Sequence, residues 1–364
     1  MKKENVFPPW GNNISLDDWS DWRWQYKHRL HTREQLAALI QHPPSAAALY
    51  GKLLRAYPYC ITPYYLSLVN RDDAEDPIAR QCFPDLREMD HASGELADPL
   101  AEENNMPIDG LMHRYQDRCL AMVTNVCFAY CRHCNRKRRW GENARVAGKA
   151  ELQAMISYVA QHPGIREVII SGGDPLTLPE GLLDWFIGAL RSLAHVEIIR
   201  IGSRIPVVMP MRITKRLCTM LRRHRPLWVN TQFNHANEIT DDSARACAML
   251  LEAGLPLSNQ SVLLKGVNDS YEAMRRLLYG LQRIGVRPYY LFQGDVVAGT
   301  SHLRAEMERG IEMMGKLRSN ISGLCVPNYV LDAGERGKIP LERVILPTVG
   351  GSGEEELTCK SLPG

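Results

Sequence analysis

The sequence has almost no excess of charge: 44 Lys and Arg against 41 Asp and Glu leave a formal net charge of +3 over 364 residues. A field strong enough to gather nucleic acid or an anionic membrane surface is therefore not expected, and small-molecule chemistry fits the balance better. Long apolar runs are also missing. No stretch reaches the roughly 18 apolar residues that a membrane span needs, and the opening MKKENVFPPWGNN has two lysines with no apolar run behind them. These gaps predict a soluble, cytoplasmic protein. A disulfide framework is lacking too. Of ten cysteines, three crowd into residues 127–134 and the others scatter, a spacing that points to metal rather than to staples. Cys60, Cys82, Cys119, Cys218, Cys247, Cys325 and Cys359 read as buried thiols.

What is present divides the chain into three. Residues 1–112 read as a helical region: Ser15 with Asp18 and Thr32 with Gln35 resemble capping boxes, and Trp19, Trp22, Tyr26 and Leu30 between them recur at helical spacing, as a face packed on the main domain would. From residue 113 to 320, six short apolar runs are strand candidates: Cys119–Val123, Val168–Ile170, Val196–Ile201, Leu227–Thr231, Gln260–Leu264 and Tyr289–Phe292. Helix-like stretches such as LLDWFIGALRSLA and YEAMRRLLYGLQRIG lie between them. Alternation of this kind predicts an α/β fold, a partial (βα)6 barrel of TIM-like type with its chemistry in loops after the strands. Residues 321–364 form a short C-terminal segment whose end, TVGGSGEEELTCKSLPG, reads as frayed.

Directly after the first strand candidate comes Cys127-Phe-Ala-Tyr-Cys131-Arg-His-Cys134. Three thiolates can hold three irons of a [4Fe–4S] cube and leave the fourth open to a non-protein ligand. A zinc site of three Cys and His133 is the competing reading. With the basic run Arg136-Lys137-Arg138-Arg139 it would make a zinc-stabilised RNA-binding module, which the nearly neutral chain and the lack of interleaved aromatics disfavour. Ser171-Gly172-Gly173-Asp174 ends the second strand candidate, where a glycine pair lets backbone approach a ligand and Asp174 can accept from a cation. The cysteine spacing and this segment together resemble the radical S-adenosylmethionine enzymes, in which the open iron chelates the cofactor and an electron from a donor such as flavodoxin or ferredoxin cleaves it.

The likeness sharpens to the lysine 2,3-aminomutase family along most of the chain. HRYQDR at 113–118, TNVCFAYCRHCNRKR at 124–138, SGGD at 171–174, RIGSRIPVVMPMRIT at 200–214, NTQFNHANE at 230–238, NQSVLLKGVND at 259–269, PYYLFQGD at 288–295 and GKIP at 337–340 resemble family segments in the family's order. That resemblance implies an isomerase that uses the cluster, S-adenosyl-L-methionine and pyridoxal 5′-phosphate to move the α-amino group of an amino acid to its β-carbon. It implies that Lys338 binds the pyridoxal and that Arg114, Tyr115 and Arg118 hold its phosphate. Arg136 would take the substrate carboxylate, and Asp295 with Asp332 would clasp the substrate's distal ammonium. His133 and the 171–174 segment would meet S-adenosylmethionine, with Asn230 and Gln260 as polar cofactor contacts. A basic substrate is expected, L-lysine first, with arginine or ornithine as alternatives, and a role in modifying elongation factor P remains open.

Some positions depart from the family. Ser270 stands where clostridial-type enzymes carry a zinc-binding cysteine, and only Cys359 remains near the C-terminus, so no structural zinc is expected and a homo-oligomer is left open. The loop from Asp332 to Lys338 is one residue shorter than in those enzymes. Phe292 and Gly294 replace bulkier or more polar residues beside the acidic pair, which would make room for arginine.

Overall fold

The computed structural model describes residues 14–40, 44–90, 93–141, 144–347 and 354–358, and its centre is a single nine-stranded sheet. The strands are β1 (Leu111–Tyr115), β2 (Arg118–Met122), β3 (Glu167–Ser171), β4 (Ile198–Gly202), β5 (Leu227–Thr231), β6 (Leu257–Leu263), β7 (Arg287–Gln293), β8 (Asn328–Asp332) and β9 (Lys338–Pro340), and they lie side by side in chain order. From β2 to β8 all neighbours are parallel, while β1 and β9 close the two ends with antiparallel pairings. Helices at 149–161, 180–191, 215–222, 241–252, 271–283 and 307–320 return the chain from one parallel strand to the next. This is a curled, incomplete α/β barrel.

All six expected strands are there, with Val196 displaced into the turn before β4. A seventh parallel strand, β8, was not anticipated. Its NYVLD sequence is too short and mixed to stand out, and it is held by pairing with β7. HRYQDR proves to be the β1–β2 hairpin. The sheet runs through both expected boundaries, since β1 starts at Leu111 and β8 and β9 lie beyond residue 320. Nor is the C-terminal stretch merely frayed: Glu354–Thr358 pairs antiparallel with Arg343–Pro347. Cys359 lies outside the described residues.

Alternation along the strands sorts their side chains. Val168 and Ile170, then Ile199 and Ile201, are buried under the helices, whereas Glu167, Ser171, Arg200 and Gly202 face the inside. Parallel register puts Met122 level with Ser171 and Gly202 level with Asn230, so the segments leaving β2 to β5 start at one rim. The N-terminal region is a set of short helices and turns rather than long helices. Asp21 breaks the expected stripe into Leu16–Ser20 and Trp22–Lys27, and Leu30 forms a bridge with Ile61. Thr32 and Gln35 form a full capping box; Ser15 caps through its hydroxyl alone. Trp19, Leu30 and Leu36 join the same hydrophobic core as the barrel. Cys60, Cys82, Cys119, Cys218, Cys247 and Cys325 are buried thiols. Among the described residues no helix is long and apolar enough to cross a membrane.

Candidate active site

At the rim where the strands end, one cavity of about 820 Å³ opens into the barrel. Every residue that the sequence assigned to the cluster, a cofactor or the substrate lines it, from Arg114 on β1 to Lys338 on β9. No two of these stretches are held together by sequence proximity alone.

The cysteine loop is fastened from outside. Tyr130 N donates to Cys60 O at 2.9 Å and Arg132 N to Gln81 O at 2.9 Å. The buried Arg132 guanidinium donates through Nε to Glu88 Oε1 at 2.8 Å. The N-terminal region is thus the mould in which the loop is cast. Inside, the glycine pair packs on the same loop. A Cβ on Gly172 would sit 2.2 Å from Thr124 O, and one on Gly173 would sit 2.3 Å from Val126 O. Gly173 N donates to Thr124 O at 2.6 Å and Asp174 N to Val126 O at 2.8 Å. The close approach expected of these glycines is therefore made to the chain entering the cysteine loop. Asp174 also differs from expectation as a direct acceptor. Its carboxylate takes hydrogen bonds from Ser203 Oγ at 2.8 Å, Arg204 N at 2.8 Å and Leu176 N at 3.1 Å. Burial pushes its pKa up to about 6. It locks the strand ends of β3 and β4 together.

Cys127, Cys131 and Cys134 face the cavity as free thiols. Burial and the neighbouring thiols push Cys127 well above its ordinary range and Cys134 up to about 11. A cationic cluster is the natural relief for such a set. Among the described residues no three His, Cys, Asp or Glu side chains converge closely enough for a single metal ion. Three thiols on one loop could instead each bind a different iron of a polynuclear cluster. His133 does not complete a zinc set: its Nε2 is 2.9 Å from Gln232 Nε2 and 3.3 Å from Asn234 Nδ2. Accepting there leaves the proton on Nδ1, a buried donor without a partner. Burial, followed by Arg204 and Lys137, depresses its pKa well below normal and keeps the ring neutral.

Arg204 was not picked out, although it lies within the RIGSRIP segment. Its Nη1 is 2.7 Å from Cys131 Sγ, and its Nη2 donates to Glu238 Oε1 at 2.7 Å and Gln81 Oε1 at 2.6 Å. Glu102 was missed as well, and its irregular turn gives no signal. Arg136 Nε donates to Glu102 Oε1 at 2.9 Å, while Arg136 Nη1 makes only long contacts, 3.4 Å to Ser171 Oγ and 3.3 Å to Gly172 O. Burial alone would raise the Glu102 pKa, but Arg136 and Arg138 hold it below the usual range.

The two expected acids line the same cavity. Burial, then the charge of Asp332, pushes the Asp295 carboxyl up to about 6, and Asn135 Nδ2 donates to it at 3.3 Å. Asp332 accepts from Arg114 Nη2 at 2.9 Å, and Lys338 Nζ lies 3.7 Å from its Oδ2. The β1–β2 hairpin brings Arg118 3.7 Å from the centre of the Tyr115 ring. Asn230 and Gln260 line the wall between the cysteine loop and this acid pair. Phe292 lines it too; Gly294 does not, and a Cβ there would meet Arg304 Cγ at 3.5 Å. Ser270 caps the helix 271–283 by accepting from Ala273 N.

Residues 122–278 match the Radical SAM superfamily. The chain is 44% identical over 331 residues to the L-lysine 2,3-aminomutase of Acetoanaerobium sticklandii, covering 91% of this chain and 80% of that one. The L-lysine 2,3-aminomutase of Clostridium subterminale is 44% identical over 330 residues, 90% of this chain and 79% of its own. The glutamate 2,3-aminomutase of Clostridioides difficile is 39% identical over 330 residues, 90% of this chain and 78% of its own.

Proposed function

The chain belongs to the lysine 2,3-aminomutase family of radical S-adenosylmethionine enzymes, and on that premise we propose that its substrate is a free basic amino acid, L-lysine, converted to the β-amino acid. It is an isomerase that uses a [4Fe–4S] cluster, S-adenosylmethionine and pyridoxal phosphate. When bound, these groups supply the radical chemistry, a carbonyl for the migrating nitrogen and a π-system that spreads unpaired spin.

The protein's own side chains bind and orient. Cys127, Cys131 and Cys134 would hold the cluster as thiolates, and the Nδ1 donor of His133 and the Ser171–Gly173 backbone, which line the same cavity, would meet S-adenosylmethionine. Arg114, Tyr115 and Arg118 form a cationic, hydroxyl-bearing patch suited to phosphate, next to Lys338. Arg136 offers its Nη1 edge to the substrate carboxylate while Glu102 fixes the rest of the guanidinium.

The observation that carries the substrate reading is the Asp295–Asp332 pair, two carboxylates close enough that one raises the pKa of the other. A cationic side chain relieves that repulsion and an acidic one adds to it, which favours lysine over glutamate. A phosphate held by Arg114 would draw its guanidinium from Asp332 and would leave more of that carboxylate to the substrate's ε-ammonium. Gly294 points away from the cavity, which weakens the case for the larger guanidinium of arginine.

An anaerobic assay of the reconstituted enzyme with lysine, arginine, ornithine and glutamate, read by product chromatography, tests the reading. β-Lysine as the fastest product is expected; preference for glutamate would overturn it.

A further inference from the structure

The reaction begins only when the cluster receives an electron, and the outer side of the cysteine loop carries a feature that the bound cofactors leave unused. Phe128, next to Cys127, is buried, yet two aromatic rings of the helix Trp22–Lys27 cover it from outside. The Tyr26 ring meets Phe128 edge-on at 5.3 Å between centroids, and Trp22 lies at 6.3 Å. Tyr26 is 40% exposed. A packed aromatic column therefore leads from the cluster loop to solvent.

Cations surround its outer end. Residues 22–33, WRWQYKHRLHTR, hold Arg23, Lys27, Arg29 and Arg33 and no acid, in a chain whose whole net charge is +3. Arg29 is tied down: it stacks on Tyr26 with 3.7 Å from guanidinium carbon to ring centre and donates to Cys127 O at 3.1 Å. Arg23 and Lys27 are exposed, the Arg23 side chain to 71%. Asp21, next to this run, caps the helix by accepting from Arg23 N at 2.9 Å and pairs with the Arg23 guanidinium at 3.8 Å, which offsets part of its charge. Exposed Asp17, Asp18 and Glu34 flank the run, while Arg23 and Lys27 are the charges on the same helix as the half-exposed Tyr26 ring. These two cations attract a negatively charged protein and orient it over the column.

We propose that the exposed face of the helix Trp22–Lys27 docks the enzyme's electron donor, a low-potential one-electron carrier protein with an acidic surface. One electron leaves the reduced carrier, passes by way of Tyr26 and Phe128, and reduces the cluster by one electron; the carrier is left oxidised by one, and no bond or proton changes. This rests on the assignment of the cluster to Cys127, Cys131 and Cys134.

Stopped-flow reduction of the reconstituted enzyme tests it, with flavodoxin hydroquinone as the protein donor and dithionite as the small one, on wild type and on the Arg23→Glu/Lys27→Glu double variant. At low ionic strength the bimolecular rate with flavodoxin should fall about tenfold or more in the variant, and the wild-type rate should drop with added salt while the variant's does not. The dithionite rate should stay the same. An unchanged flavodoxin rate would overturn the dock, and so would an equal loss with both donors, because the face would then hold the loop rather than a partner. A change of oligomeric state at unchanged flavodoxin rate would give the face to a second copy of the chain and overturn it too. Failure of dithionite to produce any reduced-cluster signal in wild type would instead sink the cluster assignment, so the two failures are distinguishable.

Discussion

Arg114 Nη2 donates to both oxygens of Asp332, at 2.9 and 3.2 Å, and so joins β1 to β8 across 218 positions of sequence. The sheet runs from β1 to β9 without closing on itself, and this ion pair bridges the gap at the rim where the cavity opens. The same contact couples two binding tasks, since it sets the arginine suited to phosphate against a carboxylate suited to the substrate cation.

The carboxylate pair gives the first prediction. Asp295→Asn or Asp332→Asn removes one charged partner of the distal ammonium, and charge-assisted hydrogen bonds contribute about 1.5–3 kcal/mol. Turnover of lysine should fall at least about tenfold, 1.4 kcal/mol being roughly that factor. A neutral analogue of similar length should lose far less. Parallel kcat/KM measurements decide, and equal losses on both substrates would show that the acids support the fold or a cofactor.

A pH dependence follows from Asp295. Its carboxyl is pushed up to about 6, first by burial and then by Asp332. The folded protein therefore holds this proton more tightly than the unfolded chain does, and its contribution to stability is lost as pH rises from the ordinary carboxyl range through about 6. The Asp295→Asn variant lacks that loss. Without substrate, its melting temperature should gain on wild type between pH 4 and 7. A bound cation reverses the preference, so the KM for lysine should rise as pH falls below about 6.

Lys338 should carry the pyridoxal. Its amine lies 5.5 Å from the centre of the Tyr115 ring and 3.7 Å from Asp332 Oδ2, inside the cavity rather than on the surface. Borohydride treatment of the enzyme with its cofactor should fix the label there, as peptide mass spectrometry would read. A reduced adduct on a different lysine would remove Lys338 from this role.

Loss of iron should follow from two unlike changes. Replacing Cys127, Cys131 or Cys134 with Ala should remove most bound iron and abolish S-adenosylmethionine cleavage. Gly172→Ala should lower iron content indirectly, because its φ of +131° and a Cβ 2.2 Å from Thr124 O force the cysteine loop to move. A cost of about 1–3 kcal/mol for the backbone conformation alone is expected. Gly181→Ala is the control, since nothing lies within 4 Å of its Cβ and alanine suits its helix. Equal iron content and melting temperature in the two glycine variants would refute the packing argument.

The sequence by itself determined the repeated βα pattern, because apolar runs and amphipathic stretches are local signals, and it marked the cysteine loop because three thiols in eight residues are local too. It also marked Ser171–Asp174, but not what the glycines touch. Close approach between 172 and 124 depends on the register of β2 against β3, a long-range pairing. Strand β8 was illegible for the same reason, since pairing with β7 rather than its own composition makes it a strand. Only the tertiary structure put Arg204 beside Cys131, Glu102 beside Arg136 and Arg114 beside Asp332. A charged side chain looks alike in sequence whether it meets water or a partner, and folding alone, by removing the water, decides which partner it must find.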